Sequence, residues 1–352
     1  MIDAMARAGN PSSVHAAGRA ARHLVESARE QVARSAGVAA SEVVFTGSGT
    51  EANNLALRGV GGSVVISTVE HESIMAARPD AITVPVDRNG IVDLPALDTL
   101  VAEYRPSLVS VMLANNETGA IQPIEEVAQI AHRAGALVHC DAVQAFGKIA
   151  VDARALDVDL LSLSAHKIGG PLGVGALVVR GNLALEPLLR GGGQERRRRA
   201  GTENVAGIAG FGVAAAAVSD HLMRVEASGT LRDDLERRLS AIMPGAVVYA
   251  AGARRLPNTT CVGMPGVTAE TQLMAFDLAG IAISAGAACS SGKVAGSRVL
   301  RAMGVSEEEA RCAIRVSFGR GNSVSDVERF VSVWTALASR RSANGGTTVR
   351  AA

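Results

Sequence analysis

Aromatic residues are scarce: one Trp, two Tyr and six Phe make up 3% of the 352 residues. So few rings argue against a surface built from aromatic binding platforms. Charge of one sign is also missing, since 35 Lys and Arg face 34 Asp and Glu for a net charge of +1. Such a balance gives no electrostatic reason for nucleic acid or an anionic membrane to bind. Cys140, Cys261, Cys289 and Cys312 form no C-x-x-C pair, which excludes zinc-knuckle and thioredoxin-type readings. The longest apolar run, "IAGFGVAAAAV" (208–218), is too short to span a bilayer. The opening "MIDAMARAGN" lacks the basic stretch and apolar core of a secretory signal. These absences together predict a soluble cytoplasmic protein with no nucleic-acid or membrane partner.

Glycine is plentiful, with 38 residues in a chain that is 48% apolar. That composition suits close backbone packing and tight turns. The length allows a large domain with a smaller partner. Short β-rich runs at 42–47, 63–68, 81–86, 107–114, 136–142, 159–164 and 175–180 alternate with helical stretches such as "IEEVAQIAHRAG" (124–135). Strands apolar throughout and separated by helices predict an α/β fold with a mostly parallel, seven-stranded sheet covered on both faces. A long helical region follows from Val205 to Ile242. Shorter strands then lie at 247–250, 259–264, 281–286 and 312–319, with helices at 268–279 and 325–339. We expect a large domain over residues 1–219, a small α+β domain over 220–340 and a disordered tail over 341–352.

Lys167 stands in "LSLSAHKIGGPLGVGAL" (161–177), a stretch that otherwise reads as buried. Desolvation lowers a lysine's pKa from its ordinary value near 10.4 and prepares it for Schiff-base chemistry. In an open parallel sheet, ligands bind at the carboxyl ends of the strands. Those ends carry Thr46 to Thr50, His71, Asn115-Asn116-Glu117, Asp141 with Gln144, and Ser164 with His166 and Lys167. "GSGTEA" (47–52) fits a loose dinucleotide fingerprint with Glu70 about 20 residues on, but it leaves Lys167, Asp141 and Cys289 without roles. "SAHK" (164–167) fits S-x-x-K, but neither S-D-N nor K-T-G occurs. Both point to a phosphate held by glycines, a hydroxyl and a helix N-terminus. A cofactor with one phosphate and an aldehyde for Lys167 is pyridoxal 5'-phosphate, whose ring nitrogen needs a carboxylate that Asp141 can supply.

Ten segments carry a resemblance: "GNPSSVH" (9–15), "VFTGSGTEANNLA" (44–56), "VEHESI" (69–74), "ANNETG" (114–119), "HCDAVQAFGK" (139–148), "SLSAHKIGGPLGVGAL" (162–177), "GGGQER" (191–196), "RAGTEN" (199–204), "SAGAACSSG" (284–292) and "IRVSFGR" (314–320). In order and spacing they resemble the cysteine desulfurases, class V members of the fold-type I pyridoxal phosphate enzymes. The length of the segment after Cys289 resembles the NifS/IscS group. The resemblance implies that Lys167 holds the cofactor, Asp141 pairs with its ring nitrogen and Gln144 bonds its phenolic oxygen. It also implies that His71 stacks on the ring and takes part in proton transfers. Gly49, Thr50, Ser164 and His166 would hold the phosphate, with Thr202 reaching the phosphate of a neighbouring subunit. Asn116 would serve cofactor and substrate, and Arg315 the substrate carboxylate.

Cys289 would take sulfur from L-cysteine as a persulfide, leave L-alanine, and pass the sulfur to an acceptor or iron–sulfur scaffold protein. A transient role as iron–sulfur ligand is the single metal function implied. The homodimer is likewise implied rather than read from the residues. Within the class, an aminotransferase, selenocysteine lyase or cysteine sulfinate lyase remains the alternative, though none of these needs Cys289. A nucleotide-binding oxidoreductase or non-catalytic scaffold is the alternative from another class. Two departures stand out: Arg197 and Arg198, where smaller or apolar residues are usual, and a short stretch between Gly59 and Ser63. Met1, Ile2, Met5 and Ala8 follow helical spacing with no N-cap before them, so the start reads as a helix cut in its middle. A preceding segment of the type "LD…ATTP" is the corresponding expectation.

Overall fold

The computed structural model describes residues 1–6, 9–286 and 296–345. They form two compact units. The first comprises residues 1–85, 92–114 and 122–222, and the second 86–91, 115–121 and 223 onward.

The first unit holds the seven expected strands. They are β1 (Val43–Thr46), β2 (Val64–Ser67), β3 (Ile82–Val84), β4 (Leu108–Ser110), β5 (Leu137–Asp141), β6 (Leu160–Ser164) and β7 (Gly175–Val179). Their order is β1-β7-β6-β5-β4-β2-β3. Neighbours from β3 through β6 run parallel, while β7 is antiparallel to both β6 and β1. One reversed strand therefore leaves β1 pointing the same way as β6. The carboxyl ends of β1, β2, β5 and β6 thus open on one edge of the sheet. Every residue of β1, β2, β4, β6 and β7 is buried, as a sheet covered on both faces requires.

Among the described residues eight α-helices start within this unit: α1 (Ile2–Met5), α2 (Ala16–Ser35), α3 (Gly49–Gly59), α4 (Glu72–Met75), α5 (Leu94–Tyr104), α6 (Ile124–Arg133), α7 (Val205–Ala216) and α8 (Val218–Ile242). In α6 the buried positions Ile124, Val127, Ala128, Ile130 and Ala131 form one stripe. Glu125 and Glu126 open the helix, and His132 and Arg133 close it. That charge order suits the helix dipole, and Gly135 (φ 79°) stops the helix. The small residues of α7 have a packing reason. A Cβ on Gly212 would fall 2.6 Å from the Cα of Ala28, so α2 and α7 touch nearly backbone to backbone. The single helical region expected over 205–242 is two helices bent by 60° at Ala217. Among the described residues no single helix is long and apolar enough to cross a membrane.

The second unit carries β8 (Val247–Val248), β9 (Thr259–Gly263), β10 (Ser284–Ala285) and β11 (Ala313–Ser317) in an antiparallel sheet ordered β10-β11-β9-β8. Its helices are α9 (Ala269–Leu278), α10 (Arg298–Ala302), α11 (Glu307–Ala310) and α12 (Val324–Gly345). Phe276 of α9 stacks on Phe330 of α12 at 4.2 Å, and Trp334 lies fully buried in the same core. Residues 115–121 join this unit because their backbone pairs with the 254–256 segment. Ile121 donates to the carbonyl of Arg254 (2.9 Å), and Leu256 donates to that of Gly119 (2.8 Å). A single boundary at residue 219 does not contain such excursions. α12 also runs on through Gly345, into the stretch expected as tail, while residues 346–352 lie outside the described residues.

Candidate active site

β1 ends at Thr46, and the chain turns through Gly47 and Ser48 into α3. Ser48 caps that helix by accepting from the backbone N–H of Glu51 (3.1 Å), and Thr46 donates its hydroxyl to the Ser48 carbonyl (2.9 Å). The strand end and the helix start are thereby locked, with Gly49 buried at the first turn and Thr50 exposed beside it. A helix N-terminus held this way attracts an anion. Gly175 shows how tightly β7 packs there, because a Cβ on it would meet the Ser48 carbonyl carbon at 2.4 Å. Ser164, at the end of β6, bonds His166 through Oγ and Nδ1 at 2.8 Å. Partial burial and the neighbouring Lys167 charge lower the pKa of His166.

Lys167 follows in a short 3₁₀ turn (Ala165–Ile168) that closes on Gly169 at φ 82°, a left-handed conformation suited to glycine. Asp141 ends β5 fully inside the protein. Its Oδ1 accepts from the Val143 N–H (2.9 Å) and its Oδ2 from the Asn53 amide (2.7 Å). Burial still raises its pKa, against which those two bonds and the charges of His71 and Lys167 act. One buried carboxylate thus faces both the lysine and the histidine singled out from the sequence. His71 caps α4, accepting at Nδ1 from the Ser73 N–H (3.1 Å). Gln144 accepts at Oε1 from the Lys148 ammonium (2.7 Å), which leaves its amide N–H groups to donate elsewhere.

The remaining expected residues are placed separately. Thr202 is exposed on the first unit, beyond Arg199, which pairs with Glu51 of α3 at 2.9 Å. In the second unit, Arg315 on β11 donates to the Asn116 carbonyl at 2.7 Å and feels the charge of buried Glu117. Its Nε is buried with no hydrogen-bond partner among the described residues. Cys289 lies outside the described residues. The other three cysteines are buried, and burial raises the pKa of Cys140 and Cys261, so neither thiol is prepared for nucleophilic work.

Two sequence readings meet the structure differently. Glu70 cannot serve a nucleotide ribose, since it is buried with Oε1 accepting from Ser67 Oγ (2.6 Å) and Met112 N–H (2.9 Å). The arginine run that includes Arg197 and Arg198 is partly tied into the structure. Arg196 donates to the Ser41 carbonyl and Arg198 to that of Leu183, both at 3.0 Å. Asn53, Ser73, Lys148 and Arg199 were not read from the sequence. Asn53 had a signal: it shares a helical face with Gly49, Ala52 and Ala56, all buried. A polar residue on the buried face of a helix asks for a partner.

The sequence profile described as Aminotransferase class-V matches residues 3–330. The chain belongs to that family. Within it, the chain is 44% identical over 342 residues to a cysteine desulfurase of Cereibacter sphaeroides, covering 92% of this chain and 87% of that one. Among solved structures it is similar to a NifS-like protein of Rickettsia africae, with a TM-score of 0.89 and 38% identity over 96% of this chain and 94% of that one. It is also similar to SspA in complex with cysteine, with a TM-score of 0.78 and 29% identity over 90% and 94% of the two chains. The desulfurase relatives and the fold place this class-V chain in the cysteine desulfurase branch.

Proposed function

We propose that the chain is a pyridoxal phosphate-dependent cysteine desulfurase. It converts L-cysteine to L-alanine and leaves a persulfide on Cys289. The observation that carries this reading is that the charges of Lys167 and His71 act on buried Asp141 at the carboxyl edge of the sheet, where the capped N-terminus of α3 also lies. The residues present fit the cofactor. A buried carboxylate whose pKa burial raises is best satisfied by a ring N–H cation, and a capped glycine turn suits a phosphate. When bound, pyridoxal phosphate supplies an aldehyde for Lys167 and a ring that draws electron density from the attached amino acid.

The chain's own groups do the rest. Gly49, Thr50, Ser164 and His166 hold the phosphate, and Asp141 keeps the ring nitrogen protonated. Gln144, oriented by Lys148, donates to the phenolic oxygen. Asn116 and Arg315 take the substrate carboxylate through charge-assisted bonds. The Cys289 thiolate attacks the substrate sulfur. The sulfur–carbon bond breaks as the sulfur–sulfur bond forms, the freed carbon gains a proton, and alanine leaves. The persulfide then passes to a sulfur-acceptor or iron–sulfur scaffold protein. The same reading takes the enzyme to be a cytoplasmic homodimer in which Thr202 serves the partner's phosphate. The test is to supply L-cysteine, L-selenocysteine and L-cysteine sulfinate to the cofactor-loaded protein and measure alanine. Faster turnover of either alternative substrate would assign the chain to a lyase.

A further inference from the structure

Asn53 joins three elements of the site through one nitrogen. Its Nδ2 donates one hydrogen to Asp141 Oδ2 (2.7 Å) and the other to Ser73 Oγ (2.8 Å). Asn53 is 1% exposed and Asp141 6%, so water replaces neither bond at little cost. The amide orientation follows from the chemistry. Turned over, it would set its oxygen against a carboxylate oxygen at 2.7 Å. Ser73 Oγ, having accepted from Asn53, has its own hydrogen free to point at His71 Nδ1, 2.8 Å away. The Ser73 backbone N–H reaches that same Nδ1 at 3.1 Å, and a backbone N–H can only donate. Two donors thus converge on Nδ1, so that atom bears its lone pair. The neutral ring must then carry its proton on Nε2.

We infer that Asn53 and Ser73 are positioning residues that tie Asp141 to His71 and fix His71 as an Nε2–H donor. The inference deepens the proposed function and rests on it for the identity of the ligand that His71 and Asp141 face. It says which atom of His71 handles the proton. A ring with Nδ1 already receiving two bonds presents a donor at Nε2 toward a ring or substrate, not a vacant lone pair. It also explains why Asn53 occupies the buried face of α3. The helix that offers its N-terminus to a phosphate holds, four residues later, the carboxylate that a ring nitrogen would meet. Asn53 Oδ1 is buried with no hydrogen-bond partner among the described residues. The site thus keeps an amide there for its two donors at the expense of its acceptor.

The test uses the full chain with and without pyridoxal phosphate, as wild type, Asn53→Leu and Ser73→Ala. Leucine keeps the volume and removes both donors, while alanine removes the hydroxyl link alone. Nitrogen-15 NMR of the histidine rings in the cofactor-free protein reads the tautomer directly. Wild type should show His71 protonated at Nε2 and bare at Nδ1. Ser73→Ala should shift the Nδ1 signal yet hold pyridoxal phosphate within about three-fold of wild type, because Asp141 keeps its Asn53 bond. Asn53→Leu should shift it too and weaken cofactor retention by about 10- to 100-fold, the usual scale for losing a bond to a charged group. A wild-type His71 protonated at Nδ1 would overturn the inference. So would Asn53→Leu binding the cofactor as tightly as wild type. Should wild type not bind pyridoxal phosphate at all, the proposed function fails while the tautomer measurement still decides this one.

Discussion

The chain has three lysines, Lys148, Lys167 and Lys293. Lys148 is bonded to Gln144, and Lys167 faces Asp141 at the end of β6. Lys167→Ala should therefore abolish the visible absorption of the bound cofactor, with a stability change below about 1 kcal/mol, as expected where no core volume is lost. Persistence of that absorption would move the attachment to another lysine. His139 makes a different kind of prediction. It is fully buried across the sheet, with Nδ1 against Ser110 Oγ and Nε2 against Ser162 Oγ, both at 2.9 Å. Burial pushes its pKa down from 6.5 to about 3. The unfolded chain takes up that proton and the folded one does not, so stability is full above pH 6.5 and declines as pH falls toward 3. The slope per proton is about 1.4 kcal/mol per pH unit. Urea unfolding between pH 7 and 4 should show this slope, and His139→Gln should flatten it. Site residues of this kind were legible where the chemistry is unusual for the position, as with a lysine among glycines. Asn53 showed only as a polar residue on the buried face of α3, and Ser73, in the one-turn helix α4, not at all, because their partners come together only in the fold.

At the scale of elements, the sequence gives up its strands readily. Seven apolar runs bounded by turn residues correspond to seven strands. Whether β7 ran parallel to its neighbours was not legible, since an apolar run reads the same in either direction. The bend at Ala217 escaped for a related reason: an Ala-rich stretch has high helix propensity on both sides of a break. Before the bend, α7 packs closely on α2, where Gly212 lies against Ala28. Gly212→Val would force side-chain atoms into the backbone of α2. Overpacking of this kind costs about 1–3 kcal/mol. Thermal melting should fall accordingly, and an unchanged melting temperature would show that the two helices are not held at this distance. Arg199 links another element to the site. It ties the segment before Thr202 to Glu51 in the first turn of α3 at 2.9 Å. With both side chains 22% exposed, the pair contributes about 1 kcal/mol or less to stability. On the proposed function, the pair would matter chiefly by placing Thr202. Arg199→Ala should weaken cofactor retention more than it lowers the melting temperature, and the reverse order would make the pair merely structural.

For the molecule as a whole, the proposed homodimer gives exposed Thr202 a role in the partner's phosphate site. Light scattering should give a dimer, and Thr202→Ala should loosen cofactor retention without dissociating it. A fully active monomer would remove that role. In the proposed reaction sulfur leaves L-cysteine by way of Cys289. One single-turnover measurement tests it most directly. The cofactor-loaded protein is mixed with L-cysteine in the absence of any acceptor, alanine is quantified, and the peptide containing Cys289 is weighed by mass spectrometry. About one alanine per active site and one added sulfur on that peptide are expected, with both lost in Cys289→Ser while the cofactor stays bound. Alanine released at an undiminished rate by Cys289→Ser, or sulfur found on a different cysteine, would contradict it.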